Sequence, residues 1–509
     1  MPNEFAYFAL WAWPVVTVVV FLCLPVPKAA AASIIGGYLL LPTQPSINFG
    51  MLPAYGRELA AALPALVMAV LMSRPAPGGL DRGLRDPAPT TETLGGWLPR
   101  PLLLKVCVIT LIVAPFFTAL TNGDTAIIGG KVIDGLGLYD GGSNVVGAAM
   151  ALIPFLIARK WLASPRDHAM LLGLLCLAGL AYSLLALWEI RMSPQLNRTF
   201  YGFFPHQWGQ HLRGDGYRPI VFLEHGLRLG IFMTVVILAT LGYARSREGG
   251  KRWPVWLAAL WLFGTLVLCK SVGALILATL FAPVIILFGV RGQVMIAAAF
   301  ALVVLLYPMA RSTGLVPVDT VRSALSTVVS PDRMLSLDFR LRNEDALLER
   351  ANERPLFGWG GWGRNQLYDE NGRMTSVTDG KWIIYFGKDG WVGYLAAFGL
   401  LTLPIMLLAV RQRGDLTIAS SALALTLAAN LVDLLPNSAL TPLTWLMAGA
   451  IAGRLELGRV EDAAPETAPV PVQASPYRRS FPQGGAATRR PALRRTPVGR
   501  ANPRRAGSR

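Results

Sequence analysis

Apolar residues arrive in blocks, at about 5–24, 29–42, 57–73, 101–121, 143–159, 167–187, 219–243, 253–270, 272–290, 292–309, 389–411, 416–435 and 438–453. Most approach the roughly 20 residues that a helix needs to cross a bilayer. Hydrocarbon offers no partner to an unpaired backbone amide, so each long block predicts a helix. The block at 29–42 is short. Without it the chain has 12 membrane helices and both ends on one side; with it, 13 helices and an external N-terminus. The predicted fold is all-α, a polytopic transmembrane bundle of 12–13 helices spanning 1–455.

The polar connections alternate in charge. Arg74, Arg82, Arg85 and Arg100 share one connection, and Arg159, Lys160 and Arg166 a second. Further sets are Arg245, Arg247, Lys251 and Arg252, then Arg411 and Arg413, then Arg454 and Arg459. Basic loops stay in the cytoplasm, so 122–142, 188–217 and 310–388 are expected outside. In the last of these, Ser330-Pro331-Asp332 is a helix start. Leu337, Leu341, Leu348 and Ala351 follow at helical spacing, which predicts an amphipathic helix to about Glu353, stopping before Pro355.

Of the 509 residues 53% are apolar and 15% charged, which excludes a disordered chain and an ordinary soluble enzyme. The net charge of +17 would suggest nucleic acid, but ten arginines and no acid lie between Arg478 and Arg509. The excess is therefore in the tail, and no nucleic-acid partner is expected. Residues 456–509, rich in Pro, Ala, Gly and Arg, read as a disordered cytoplasmic tail able to touch anionic lipid. The four cysteines, Cys23, Cys107, Cys176 and Cys269, sit in apolar blocks and read as core residues rather than a disulfide or zinc framework. Met1 to Phe5 lacks a basic n-region, so no cleavable signal is expected.

Candidate chemistry concentrates in the outer segments. The stretch from Tyr201 to Gly230 mixes aromatics with His206, His211, Arg213 and Arg218, and is expected to run unbroken into a helix bearing Glu224, His225 and Arg228. On that helix Arg218 and His225 would point the same way, and Glu224 and Arg228 would form an i,i+4 pair. Ionisable residues at this depth are costly and should face a wet cavity or one another. Arg340 and Arg342 lie on the predicted loop helix. Gly358, Gly360 and Gly363 spell a dinucleotide-binding pattern, but a helix rather than a strand precedes it. A tight turn with Trp359 and Trp362 at the membrane interface is the better reading. Lys270, Asn430 and Asp433, near external helix ends, read as snorkelling or locally satisfied groups.

Two stretches carry a family resemblance: Trp188 to Met233, and Ser336 to Gly393. With Ser336-x-x-x-Arg340, Pro355-Leu-x-Gly-x-Gly360 and the closing Gly390 and Gly393, the chain resembles the O-antigen ligase and O-antigen polymerase superfamily of bacterial membrane proteins. The resemblance implies an enzyme of the inner membrane. Such an enzyme takes a glycan from an undecaprenyl diphosphate carrier at the outer face and passes it to an acceptor glycan or glycolipid. It implies that Arg218 and Arg340 match the family's arginines in the two external loops. The ligases carry a histidine eleven residues before the first closing glycine; here that position is Asp379.

The residues suit such chemistry. Breaking a sugar–phosphate bond builds charge on the departing diphosphate, which arginines bind with paired hydrogen bonds. Arg218, Arg340, Arg228 and Arg342 are the candidates for that binding. The acceptor hydroxyl must lose a proton, for which Asp379, His225 or Glu224 is the candidate base. The diphosphate is already a competent leaving group, so no cofactor, ATP or metal is called for. The rivals are a transporter of polysaccharide or lipid-linked glycan, and a non-catalytic component of an exopolysaccharide assembly. Transporters show internal repeats and broken midplane helices, of which the sequence gives no sign.

Overall fold

The computed structural model describes residues 1–50, 52–73, 94–214, 216–247, 249–314, 323, 331–411 and 416–457. The basic tail, most of the arginines expected in the connection after Ser73, Arg413, Arg459 and Ser330 lie outside the described residues. The helices are α1 (Glu4–Cys23), α2 (Val26–Leu40), α3 (Arg57–Met72), α4 (Leu102–Leu120), α5 (Leu138–Ala151), α6 (Ile153–Trp161), α7 (Pro165–Met192) and α8 (Leu196–Tyr201). They continue as α9 (Gly226–Arg245), α10 (Trp253–Leu268), α11 (Val272–Leu287), α12 (Val290–Ser312), α13 (Pro331–Asn352), α14 (Lys381–Val410), α15 (Ile418–Asp433) and α16 (Pro442–Leu457). The strands form three small antiparallel hairpins, Ile47–Phe49 with Leu52–Tyr55, Ala126–Ile128 with Lys131–Ile133, and Leu212–Arg213 with Gly216–Tyr217.

Every apolar block holds a helix, the short one at 29–42 included, and among the described residues seven helical stretches are long and apolar enough to cross a membrane, α5 and α6 together counting as one. Their starts follow local chemistry. Asn3 accepts the amide of Ala6 at the head of α1, and Ser164 with Asp167 closes a reciprocal cap on α7 around Pro165. The centre of the bundle is α9, 83% of whose most apolar stretch is buried. It packs on α7, α10, α11 and α15.

The connections gather at two ends. At one, Arg159 binds Glu456 at 2.6 Å and the carbonyls of Gly96 and Trp97, Trp161 donates to Ser73, and His168 meets Ser420. At the other, the amide of Asn3 bonds Tyr201 O, Arg57 reaches Phe222 O, and Arg354 binds Asp124. Asn3 thus shares an end with segment 188–217, and Glu456 lies at the opposite one. That is the arrangement expected if the 29–42 block counts as a full pass.

Two sequence expectations are corrected. The helix predicted from 219 begins only at Gly226, capped by His225 through Leu227 N. Glu189, fully buried at the end of α7, accepts the amides of Leu196, Ile220 and Val221 at 2.7–3.0 Å and holds that stretch in a turn. Arg218 and His225 therefore share no helix face. The outer segment 310–388 also ends earlier than expected, because α14 starts at Lys381.

The helix α14 is broken at Gly390 (φ 65°, ψ −167°), a region open in practice only to glycine. A break in an apolar bundle strands backbone groups, and here the 355–360 turn takes them. Trp359 N and Gly360 N donate to Gly387 O and Lys388 O, while Trp391 N and Val392 N donate to Pro355 O and Leu356 O. The glycine-rich run is thus a tight turn, as expected, but it docks on a helix rather than on a membrane surface. Trp359 is buried beneath Arg350 and Arg354 rather than interfacial, whereas Trp362 is exposed.

Candidate functional site

The start of α14 divides two concavities. The residues Asp379, Gly380 and Lys381 are held there by backbone hydrogen bonds from Lys381 N to Leu434 O and Asn437 O. No side chain fits at Gly380, where a Cβ would lie 2.3 Å from Leu435 O.

On the outer side Arg340 and Asp379 meet, Nε to Oδ2 at 3.3 Å, in a cleft of about 210 Å³. Helix α13 brings Arg340 and Glu344 there from one face, i and i+4, and seats itself by burying Leu347, Leu348 and Ala351. Leu341, also predicted for that face, lines the cleft, and the side chain of Leu337 lies outside the described ones. Glu344 accepts Trp382 Nε1 at 2.9 Å and pairs with Arg311. Burial raises its carboxyl above the usual range, and Arg311 offsets this in part. Arg342, two residues from Arg340 and so on the other side of the helix, is exposed and lines none of these cavities.

On the inner side two adjoining cavities, about 440 and 290 Å³, share Gly147, Ala151, Lys381, Tyr385 and Trp445. Arg57, Glu58, Glu224 and Arg228 line the larger, and Lys388 and Asp389 the smaller. Glu224 bridges Arg57 at 3.0 Å and Arg228 at 2.8 Å, the expected i,i+4 pair with a second cation added. Even so, Arg57 Nε and Arg228 Nη1 are buried and make no hydrogen bond. Buried guanidinium donors left unsatisfied are costly and call for an acceptor.

Arg218 lines none of these cavities. It is buried, donates to Ser271 Oγ at 3.0 and 3.3 Å, and packs on Gly226, where a Cβ would meet its side chain at 2.7 Å. Burial, then the charges of Arg213 and Arg340, draw it down to about 10. The guanidiniums of the two outer segments, grouped in the sequence reading as diphosphate binders, therefore share no cavity wall. His225 falls to about 3, through burial first and Arg218 second. An imidazole so reluctant to take a proton is a poor base near neutrality. Glu224 is committed to two arginines, which leaves Asp379 as the best placed of the candidate bases.

Other charges noted in the sequence have structural partners. Lys270 Nζ donates to Arg213 O at 2.7 Å, Asp433 accepts from Asn437, and Asn430 accepts from Thr444. Sequence reasoning passed over Arg57, Lys381, Lys388 and Asp389. The adjacent Lys388-Asp389 pair was the available signal, since ionisable residues within an apolar span mark function by default.

Fold and cavities together define a mostly helical, polytopic membrane protein with a charged site at one end of its bundle. No protein-family model matches the chain, and no curated protein matches it.

Proposed function

We propose that the chain is a bacterial inner-membrane glycosyl-transfer enzyme, a polymerase or ligase acting on undecaprenyl-diphosphate-linked oligosaccharide at the outer face. In this reading thirteen helices cross the membrane, segment 188–217 and the later segment from 310 up to α14 at Lys381 are periplasmic, and the basic tail is cytoplasmic. The observation that carries it is the convergence of Arg57, Arg228 and Lys381 on one cavity, where Glu224 pairs with both arginines. Such donors suit a diphosphate, and the apolar wall of Leu59, Ala62, Met150, Leu440 and Trp445 suits the prenyl chain.

The acceptor occupies the outer cleft. Its hydroxyl oxygen attacks the anomeric carbon, the bond from that carbon to the phosphate oxygen breaks, and the diphosphate leaves with the electron pair. The hydroxyl proton passes to the Asp379 carboxylate, which Arg340 orients. Fixed cations near a partly dry diphosphate stabilise the departing charge without reorganising, a major source of catalysis.

A transporter of lipid-linked glycan is the second reading, favoured by the break in α14 at Gly390. In transporters such breaks expose backbone to ions or substrate, whereas here the 355–360 turn occupies the freed groups. That fixes the helix and favours the enzyme. Proteoliposomes given only carrier-linked oligosaccharide and an acceptor glycolipid separate the readings. Longer chains or glycosylated acceptor are expected. Glycan that crosses the bilayer unaltered would support transport, and no change of either kind a non-catalytic role.

A further inference from the structure

Beside Arg218 three histidines of one outer segment converge. His206 and His211 come from the coil and short helical turn before the Leu212–Tyr217 hairpin, and His225 from the cap of α9. One ring nitrogen from each lies within 4.8 Å of the others. The ring centroids are 4.8, 5.3 and 6.3 Å apart. Three imidazoles on one tetrahedral ion, with metal–nitrogen bonds of about 2.0–2.1 Å, would place their centroids roughly 5 Å apart.

A second observation points to a missing partner. His211 is 1% exposed, and neither Nδ1 nor Nε2 has a partner at good hydrogen-bond geometry, the Arg218 backbone being the nearest polar neighbour. A neutral imidazole has one donor and one acceptor, and burying both unmet is among the costlier arrangements a folded chain can keep. The neighbouring rings, His206, His225 and Phe204, offer it only edges and faces.

We propose that His206, His211 and His225 bind a divalent transition-metal ion of the zinc type, with the fourth position open. Three neutral imidazoles suit such an ion, and no carboxylate among the described residues joins the cluster, which disfavours calcium or magnesium. His225 already has the outer hydrogen bond typical of a metal-bound histidine, its Nε2 lying 3.1 Å from Gln210 Oε1. Its Nδ1 lone pair is held by a single helix-cap amide, Leu227 N, with which the metal competes. His206 is exposed and free to swing in, closing the remaining gap. The site stands whether or not the protein transfers glycans.

The test uses the full-length protein in detergent, stripped with a chelator and titrated with Zn²⁺ or Co²⁺ alone. One ion per chain is expected, with visible Co²⁺ absorption of a tetrahedral nitrogen-ligated site. Binding should weaken at least about tenfold in His206→Ala and in His211→Ala. His206 is exposed, so its replacement spares the fold and keeps the test valid should His211→Ala fail to fold. Failure of the wild type to bind overturns the site, and so does undiminished binding by His206→Ala.

Discussion

Alanine at Arg340 is expected to abolish glycan transfer and leave the protein folded in the membrane. The side chain is 39% exposed, and it pairs with Asp379, itself 34% exposed. Exposed pairs of this kind stabilise a fold by about 0–1 kcal/mol, so little stability is at stake. Catalysis loses far more. Without Arg340 the Asp379 carboxylate has no fixed orientation toward an acceptor. Removing one preorganised charge-stabilising donor typically slows an enzyme by about 10²–10³. Arg340→Lys should recover only part of the rate, because a point charge cannot reproduce the planar fork. The measurement is turnover of carrier-linked oligosaccharide in membranes matched for protein content. Full activity in Arg340→Ala would remove this residue from the mechanism.

Alanine at Gly390 is expected to damage the fold itself. The new Cβ would lie 2.3 Å from Leu356 O and 2.6 Å from Gly358 N, both backbone atoms of the docked turn. The residue also holds φ 65°, ψ −167°, where an L side chain is strained by about 1–3 kcal/mol. Overpacking adds about 1–3 kcal/mol, so a total loss of about 2–6 kcal/mol should separate the 355–360 turn from α14. Gly273→Ala is the control, since nothing lies within 4 Å of its added methyl. Thermal unfolding in detergent should show a large drop for the first and almost none for the second. Equal midpoints would mean that the turn does not depend on the break.

The helices were legible because a bilayer imposes one rule on every span, and all the apolar blocks obeyed it. Their ends were less so. Pro219 to Leu223 is apolar and reads as helix, yet Glu189, some thirty residues earlier, takes its amides and Val221 turns to φ 55°. No local signal announces a carboxylate gripping a distant backbone. At the site, the pairing of Glu224 with Arg228 came from spacing, whereas the pairing of Arg340 with Asp379 was not foreseen and Arg218, grouped with Arg340 in the sequence reading, lines neither concavity. The partition into two concavities was not foreseen either. It depends on where the start of α14 meets the 434–437 turn, a long-range backbone contact. Arg57 escaped notice for the same reason: it heads an ordinary apolar helix and gains meaning only from Glu224, far along the chain.

The most direct measurement is an experimental structure with a prenyl-linked phosphonate analogue of the donor, in which the sugar cannot leave. The diphosphate mimic should accept hydrogen bonds from Arg228 and Arg57 beside Lys381, with its sugar turned toward Asp379. An analogue seated away from these cations, or a sugar walled off from Asp379, would contradict the transfer geometry.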